Sequence, residues 1–217
     1  MHIVVAGASG RTGRRIVDEA VAAGHRVTAL VRDGAGMAEP AAVGVQVAEV
    51  VTDTSLALPA DADAVISALG MRDGRGAPVC EPGTANLVAA MSRAGITRIV
   101  TVSAVPAHAS GRGEPWWFRG VRTLVRRRMP QVYDDIEGME RVLRASGPEC
   151  RWTVVRPGYL TDGEPTDYRL LAERNATTST HRVDLAHATV ALAADDGAER
   201  RSYGIRRGRT RRAATGA

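Results

Sequence analysis

The stretch His2-Ile-Val-Val-Ala-Gly-Ala-Ser-Gly-Arg-Thr-Gly13 decides the fold of this chain. The short and mostly apolar run His2–Ala6 leads into a loop with glycines at positions 7, 10 and 13. Apolar residues then recur at helical spacing over Arg11–Ala23, and Gly24 ends that pattern. A β-branched run follows at Arg26–Val31. The sequence therefore predicts a strand, a glycine turn, a helix and a second strand.

The same alternation continues along the chain. Further strands are predicted at Val45–Val51, Ala64–Ala68, Arg98–Ser103 and Trp152–Val155, and helices at Thr84–Ala94, Tyr133–Ala145 and around Asp184–Ala194. Strands that alternate with helices form parallel sheets covered on both faces. We therefore expect an α/β fold with a Rossmann-type, doubly wound parallel sheet. One domain would span residues 1–205 with a small C-terminal substrate cap, mainly residues 158–205, and an arginine-rich flexible tail would occupy residues 206–217.

Composition excludes several classes of function. All 29 basic residues are arginine, so Schiff-base catalysis, a Walker A loop and a Tyr-x-x-x-Lys pair are excluded. Cys80 and Cys150 lack metal-ligand spacing and are expected to be reduced thiols. Charged or turn residues interrupt every apolar run, so we expect no membrane segment and a cytoplasmic protein. Several arginines behind the net charge of +5 lie in the expected tail.

The glycine loop has the residue types of a dinucleotide-binding site. Gly7 permits a tight turn, Gly10 lets backbone amides approach a pyrophosphate, and Gly13 allows the helix to pack closely on the strand. The phosphates would lie at the helix N-terminus, where unpaired N–H groups and the helix dipole favour negative charge. The predicted site also includes Ser9 and Thr12 of the same loop.

The end of the second strand indicates which dinucleotide binds. NAD sites place an acidic residue there to accept the ribose 2′-OH, whereas this chain has Arg32. Arg11 lies inside the glycine loop, and two guanidinium groups match a dianionic 2′-phosphate. The sequence therefore predicts that NADP(H) is preferred over NAD(H). Asp33 leaves open the alternative that Arg32 is only a solvated loop residue.

Several motifs, in this order, resemble the atypical short-chain dehydrogenases/reductases of the NmrA-like and flavin reductase (biliverdin-IXβ reductase) group. They are GASGRTG, LVRD, DAVISALG, GTANLVAAM, RIVTVSA, MERVLRASG, WTVVRPGYL and HRVDLAHA, over about residues 2–205. The resemblance implies that Ser103 lies close to the nicotinamide and that Asn86 holds backbone. It implies further cofactor contacts from Ser67, Ala68, Leu69, Gly70, Pro157, Gly158 and Tyr159. Relatives carry an acid near the adenine where this chain has Val50 and Val51, so backbone groups and packing would hold the adenine.

Ser103 and Tyr133 are the candidate catalytic residues. The run from Tyr133 to Glu137 imitates Tyr-x-x-x-Lys but has a carboxylate in place of the ammonium, which would raise the pKa of the tyrosine. Flavins, quinones and other conjugated acceptors need no such acid, because they spread charge and take a proton from water. We therefore predict an NADPH-dependent oxidoreductase that reduces one of these small molecules. The alternative, which the resemblance also allows, is a non-catalytic NADP(H)-sensing regulator.

Other residues carry weaker signals. The aromatic and arginine cluster at Trp116–Arg128 is expected to shape a substrate mouth, with its aromatics buried against the cap or a partner chain. Its arginines would face water or attract an anionic acceptor, and nucleic-acid binding is not favoured. His108 could face substrate, whereas the spacing of His181 and His187 does not favour a metal. Glu140 and Arg144 are expected to form a surface pair. A monomer or a homodimer is expected.

Overall fold

The computed structural model describes residues 1–33, 42–71, 76–105 and 116–209, and within them an eight-stranded sheet carries helices on both faces. The strands of this sheet are β1 His2–Ala6, β2 Arg26–Val31, β3 Val43–Val47, β4 Ala64–Ser67, β5 Arg98–Val102, β6 Arg151–Arg156, β8 Arg169–Ala172 and β10 Arg201–Arg206. A separate ribbon pairs β7 Leu160–Thr161 with β9 Thr180–His181. The helices are α1 Arg11–Ala22, α2 Cys80–Ala94, α3 Trp116–Arg128, α4 Pro130–Ala145 and α5 Arg182–Ala193.

The strand order confirms the predicted doubly wound sheet. The order is β3-β2-β1-β4-β5-β6-β10-β8, and every neighbouring pair is parallel except β10 with β8. The strand order reverses at β1. The chain adds β2 and β3 on one side of β1 and then β4, β5 and β6 on the other side. Ligands of such sheets bind beyond the carboxyl ends of the strands at this reversal. The glycine loop that follows β1 therefore lies at the expected ligand edge.

Two apolar layers hold the helices onto the sheet. On one face, side chains of α1 and α5 pack against β1 and β4, and their buried members include Ile16, Leu185, Val5 and Ile66. On the other face, side chains of α2 and α4 do the same, with Leu87, Leu143, Val4, Val65 and Ile99 among them. Each such side chain stabilises the fold by roughly 1.5–3 kcal/mol through its removal from water. The alternation of strand residues between the two layers fixes the register of the sheet.

The C-terminal region differs from the predicted cap. Helix α5 packs against α1, and β10 and β8 extend the main sheet beyond β6. Of the strands described after residue 157, β7 and β9 form a separate two-stranded ribbon. The predicted tail is also shorter than expected, because residue 206 is the last of β10 and the N–H of Asp167 donates to the carbonyl of Arg209 at 2.8 Å. Residues 210–217 lie outside the described part of the chain.

The third strand is also shorter than predicted. It ends at Val47, which pairs with Val31, the last residue of β2. No β2 residue remains to continue the ladder, so Val50 and Val51 lie in a turn instead of the strand.

Helix α2 begins at Cys80, whereas the apolar spacing predicts a start at Thr84. The carboxylate of Asp135, which is buried on α4, accepts the backbone N–H groups of Val79, Cys80 and Glu81 at 2.9 Å each. These N–H groups have no partner within their own helix, and a negative charge there also matches the helix dipole. A residue distant in sequence therefore stabilises the first turn of α2.

We expect Asp135→Ala to lower the free energy of unfolding by about 2–4 kcal/mol, because one buried and two partly buried N–H groups lose a charged acceptor. The matched control is Asp134→Ala, since the neighbouring Asp134 side chain is 67% exposed and pairs with Arg126 at 3.3 Å. The control should change stability by less than about 0.5 kcal/mol. Urea denaturation of both variants measures the difference, and equal midpoints would show that Asp135 does not cap α2.

Candidate functional site

The glycine loop adopts a conformation that leaves no room for side chains at Gly7 and Gly13. Gly7 has φ of +74°, and the N–H of Gly10 donates to the carbonyl of Gly7 at 3.0 Å. A Cβ at Gly13 would overlap that same carbonyl oxygen. No side chain in the described part of the chain caps the N-terminus of α1. The first N–H groups of α1 are therefore available as hydrogen-bond donors at the position predicted for a phosphate.

The residues after β4 approach the glycine loop closely. The N–H of Ala68 donates to the carbonyl of Ala6 at 2.9 Å. A Cβ at Gly7 would lie 2.7 Å from the carbonyl oxygen of Ala68 and 3.2 Å from the nitrogen of Leu69. Gly70 follows, with nothing within 4 Å of its Cβ position. The structure therefore brings together two segments that the resemblance assigns to the cofactor.

Asn86 holds backbone beside the predicted adenine position. The side-chain amide of Asn86 donates to the carbonyls of Val50 and Val51 at 3.0 and 2.9 Å. Val50 is buried against the sheet layer that contains α2, and Val51 is partly buried. Asn86 therefore holds backbone, and the two valines offer packing without an acidic side chain.

The two arginines expected at a 2′-phosphate have different surroundings. Arg32 is exposed immediately after β2. The guanidinium of Arg11 donates to the carboxylate of Asp162 at 2.5 Å, and Asp162 also accepts from Arg182 at 3.2 Å. Arg11 therefore ties the glycine loop to the segment after β7 in this structure, and Arg32 is the arginine at the end of β2.

A buried charge network lies beneath the carboxyl ends of β5 and β6. Ser103 follows β5, Arg156 ends β6, and Glu140 on α4 lies between them. The Glu140 carboxylate accepts from Ser103 Oγ at 2.8 Å and from Arg156 Nε and Nη2 at 2.9 and 2.6 Å. Glu140 is 4% exposed and Arg156 is 1% exposed. Both charged groups of this ion pair are thus buried, next to the predicted nicotinamide position.

The expectation of a surface pair between Glu140 and Arg144 is wrong. Arg144 does donate to Glu140 at 3.0 Å, but it does so from the rim of a buried site. Glu140 lies on the inner face of α4 with Met139 and Leu143, both fully buried. Sequence reasoning also missed Arg156. Its signal was a charged residue at the end of the apolar strand Trp152–Val155, which requires a buried partner.

The network decides what the hydroxyl of Ser103 can do. Burial raises the pKa of Glu140, but hydrogen bonds and charge from Arg156 outweigh it and lower that pKa to about 2. The carboxylate is therefore ionised and can only accept hydrogen bonds. The Ser103 hydroxyl donates its one hydrogen to Glu140. Its oxygen can therefore only accept a hydrogen bond from a bound molecule. Ser103 is consequently unsuited to donate a proton.

Tyr133 is buried near the start of α4, and burial raises the pKa of its hydroxyl. The pKa of Tyr133 is raised, as predicted, but burial raises it and not the carboxylate of Glu137. Glu137 binds Arg126 of α3 through two hydrogen bonds and holds α3 onto α4. The carboxylate in the lysine-like position therefore has a structural partner of its own.

The predicted nicotinamide edge follows β6. The N–H of Val105 donates to the carbonyl of Pro157 at 3.0 Å, so the segments after β5 and β6 remain paired. The N–H of Gly158 donates to Thr180 Oγ1 at 3.2 Å, and a Cβ on Gly158 would overlap the carbonyl of residue 178. Tyr159 is 82% exposed. The loop after β6 is thus packed closely at Gly158 and exposed to solvent at Tyr159.

The remaining predicted residues do not join this site. Trp116 is 84% exposed on α3 and is not buried against the described C-terminal region, so its burial against a partner chain stays a prediction. His181 bonds the carbonyl of residue 164, and His187 bonds the hydroxyl of residue 168. Among residues 1–33, 42–71, 76–105 and 116–209, no group of His, Cys, Asp and Glu could hold a metal. His108 and the side chains of Phe118, Arg119 and Arg122 lie outside the described residues.

Two further expectations were addressed by the structure. Cys80 and Cys150 are unpaired, buried thiols, and burial raises the pKa of Cys80, with Asp135 adding to the effect. Of the helices in the described ranges, none is both long enough and apolar enough to cross a bilayer.

Comparison with known proteins agrees with this geometry. A family model described as NAD(P)H-binding matches residues 7–196. The structure of an anaerobillin reductase, ChuY from Escherichia coli O157:H7, superposes with a TM-score of 0.74 at 18% identity, covering 98% of this chain and 100% of that one. A short-chain dehydrogenase/reductase from Veillonella parvula, in complex with NADP, gives a TM-score of 0.72 at 20% identity, covering 94% and 93%. At these identities the two structures establish the fold.

One curated relative is more similar in sequence. An uncharacterized chloroplastic protein of Arabidopsis thaliana is 30% identical over 181 residues, which is 76% of this chain. The chain spans 61% of the length of that relative.

We expect Glu140→Gln to lower the free energy of unfolding by about 3–5 kcal/mol at pH 7, because Arg156 would remain buried without a counter-charge. The pKa of Glu140 is lower in the folded state than its ordinary value of 4.5. Its stabilising effect is therefore complete above about pH 4.5 and is lost as pH falls toward 2. The difference in the free energy of unfolding between wild type and Glu140→Gln should therefore decrease as pH falls from about 4.5 to 2. Chemical denaturation at several pH values measures it.

The matched control is Glu137→Gln, which breaks a partly exposed pair on the same helix. It should cost less than about 1 kcal/mol at neutral pH. A gap between wild type and Glu140→Gln that stays constant from pH 7 to pH 2 would contradict the ion-pair account.

Proposed function

Because the chain belongs to the NAD(P)H-binding family, whose model covers residues 7–196, we propose that it is an NADPH-dependent oxidoreductase. Its acceptor is a flavin, a quinone or another conjugated small molecule. The observation that carries this proposal is the glycine loop at the point where the strand order reverses, with Gly7 at positive φ and no room for a Cβ at Gly13. That geometry suits a pyrophosphate at the N-terminus of α1.

The residues that would hold the cofactor lie along the carboxyl edge of the sheet. The loop residues Ser9, Gly10 and Thr12 surround the N-terminus of α1, and Ala68 to Gly70 approach it from β4. When bound, NADPH supplies a hydride to the acceptor. Ser103, with its proton committed to Glu140, presents an oxygen that can accept a hydrogen bond from the carboxamide N–H of the nicotinamide.

The class of acceptor follows from the lack of a suitable proton donor in the described site. The whole sequence contains no lysine, the proton of Ser103 is held by Glu140, and Tyr133 is buried with a raised pKa. A simple carbonyl needs a positioned acid as the hydride arrives. A conjugated acceptor delocalises the two electrons and takes its proton from water. The fold shared with an anaerobillin reductase supports this class.

The preference for NADP(H) over NAD(H) is part of the proposal. Arg32 is exposed at the end of β2, where the ribose 2′-position of a dinucleotide lies in this fold. A neighbouring structure in complex with NADP supports the preference. Arg11 can contribute only by leaving Asp162, its partner at 2.5 Å.

We expect Arg32→Ala to raise KM for NADPH about ten- to hundredfold, since a charge-assisted contact to phosphate is lost. KM for NADH should change less than about twofold, because NADH lacks that phosphate. The control is Arg15→Ala, which removes an exposed arginine of α1 outside the glycine loop. Equal losses for both coenzymes would refute the preference.

Oxidation of NADPH at 340 nm across FMN, riboflavin and menadione tests the activity itself. Steady turnover that Gly10→Trp abolishes would support the enzyme. Tight NADP binding by calorimetry without turnover on any acceptor would favour the alternative, a non-catalytic sensor.

We expect Tyr133→Phe to keep kcat within about threefold of wild type, since loss of a true general acid costs about 10²–10⁴-fold. Steady-state kinetics with a flavin acceptor provides the measurement. A loss above a hundredfold in a variant with unchanged Tm would assign the catalytic proton to Tyr133.

A further inference from the structure

An arginine-rich cleft lies at the edge of the sheet formed by β8 and β10. It has a volume of about 340 Å³ and is lined by Asp167, Arg169, Arg206, Arg207, Gly208 and Arg209. Four guanidinium groups thus border one cleft that also holds a single carboxylate. The cleft therefore carries a concentrated positive charge.

The fold holds these charges together against their repulsion. Arg206 of β10 lies directly opposite Arg169 of β8 in the antiparallel register, and like charges in that position are destabilising. Gly208 packs so closely that a Cβ would overlap the carbonyl of Asp167. The N–H of Arg207 donates to Thr178 Oγ1 at 3.2 Å. Backbone contacts, and not a mobile tail, therefore position the arginines.

The cleft borders the predicted nicotinamide edge. Gly204 of β10 pairs with Arg156 of β6, and Arg206 lies two residues further along the same face. With strands about 4.8 Å apart and about 3.3 Å per residue, the Cα atoms of Arg206 and Arg156 are about 8 Å apart. The side chain of Thr180 accepts from the N–H of Gly158 and donates to the carbonyl of Ile205 at 3.5 Å. Thr180 thus links the loop after β6 to Ile205, the residue before Arg206.

The cleft cannot serve the 2′-phosphate of the cofactor. Arg32 follows β2, and β1, β4, β5 and β6 separate β2 from β10 in the sheet. Five strand spacings of about 4.8 Å place the two positions roughly 24 Å apart. The cleft is therefore too far from the end of β2 to share the 2′-phosphate with Arg32.

We propose that this cleft binds an anionic substituent, a phosphate or a carboxylate, of the molecule that accepts the hydride. Planar guanidinium groups pair with both anions through parallel hydrogen bonds. A bound anion would also relieve the repulsion between Arg169 and Arg206. This inference rests on the proposed reductase function, and it names the substrate class as anionic conjugated molecules.

FMN and riboflavin provide a matched pair of probes, because they share the ring system and differ in one phosphate. Binding of each is measured by flavin fluorescence to full-length protein saturated with NADP⁺, at constant ionic strength. Wild type should bind FMN at least about tenfold more tightly than riboflavin. Arg169→Ala/Arg206→Ala should reduce that ratio to below about twofold while riboflavin affinity stays unchanged.

The control variant Arg15→Ala/Arg201→Ala removes the same charge from exposed positions outside the cleft and should keep the ratio. Riboflavin binding and Tm report whether each variant is folded. A ratio near one in wild type, failure of both flavins to bind, or a ratio that survives Arg169→Ala/Arg206→Ala would each overturn the inference.

Competition identifies which anion the cleft prefers. Inorganic phosphate and succinate are titrated against bound FMN, and displacement at lower concentration by one of them assigns the preferred group. Displacement by neither would overturn the inference. Binding is independent of turnover, so arginine-dependent FMN binding without NADPH oxidation would reject the proposed function alone. NADPH-dependent reduction of both flavins with equal efficiency would reject only the anion site.

Discussion

The close contact between Gly7 and Gly13 is the constraint on which the rest of the site depends. Helix α1 can begin directly after β1 only because its first turn lies against the carbonyl of Gly7, where any side chain would collide. This contact directs the N-terminus of α1 at the carboxyl edge of the sheet. The predicted cofactor segments from β4, β5 and β6 then meet there because parallel strands end at the same edge.

The ion pair of Glu140 and Arg156 determines which hydrogen bonds Ser103 can form at this edge of the sheet. Two opposite charges are enclosed between α4 and β6, and their mutual hydrogen bonds offset the loss of solvation. Glu140 also accepts the hydrogen bond of the Ser103 hydroxyl, so Ser103 can only accept a further hydrogen bond while Glu140 is ionised. One structural pair thus restricts the catalytic options of a neighbouring side chain, which favours acceptors that need no acid from the protein.

Local patterns were sufficient for the sheet and the glycine loop but not for long-range polar contacts. Glycine spacing and β-branched runs predicted β1, α1 and β2, because these features follow from neighbouring residues. Glu140 was misassigned since a helical spacing of four matches both a surface pair and the edge of a buried one. The same limitation concealed the cleft at Arg169, because its arginines come from two strands separated by more than thirty positions. Side-chain partners across the sheet require the topology to be known.

The cap of α2 by Asp135 bears on how the chain is made. Synthesis proceeds from the N-terminus, so the ribosome releases Cys80 well before the carboxylate that completes its helix. Until α4 emerges, the first turn of α2 lacks the carboxylate that accepts its N–H groups, and the α4 side chains are missing from the apolar layer on that sheet face. A nascent chain halted before residue 135 would leave part of that apolar layer exposed to solvent and to chaperones. Completion of α2 therefore depends on a segment that is synthesised more than fifty residues later.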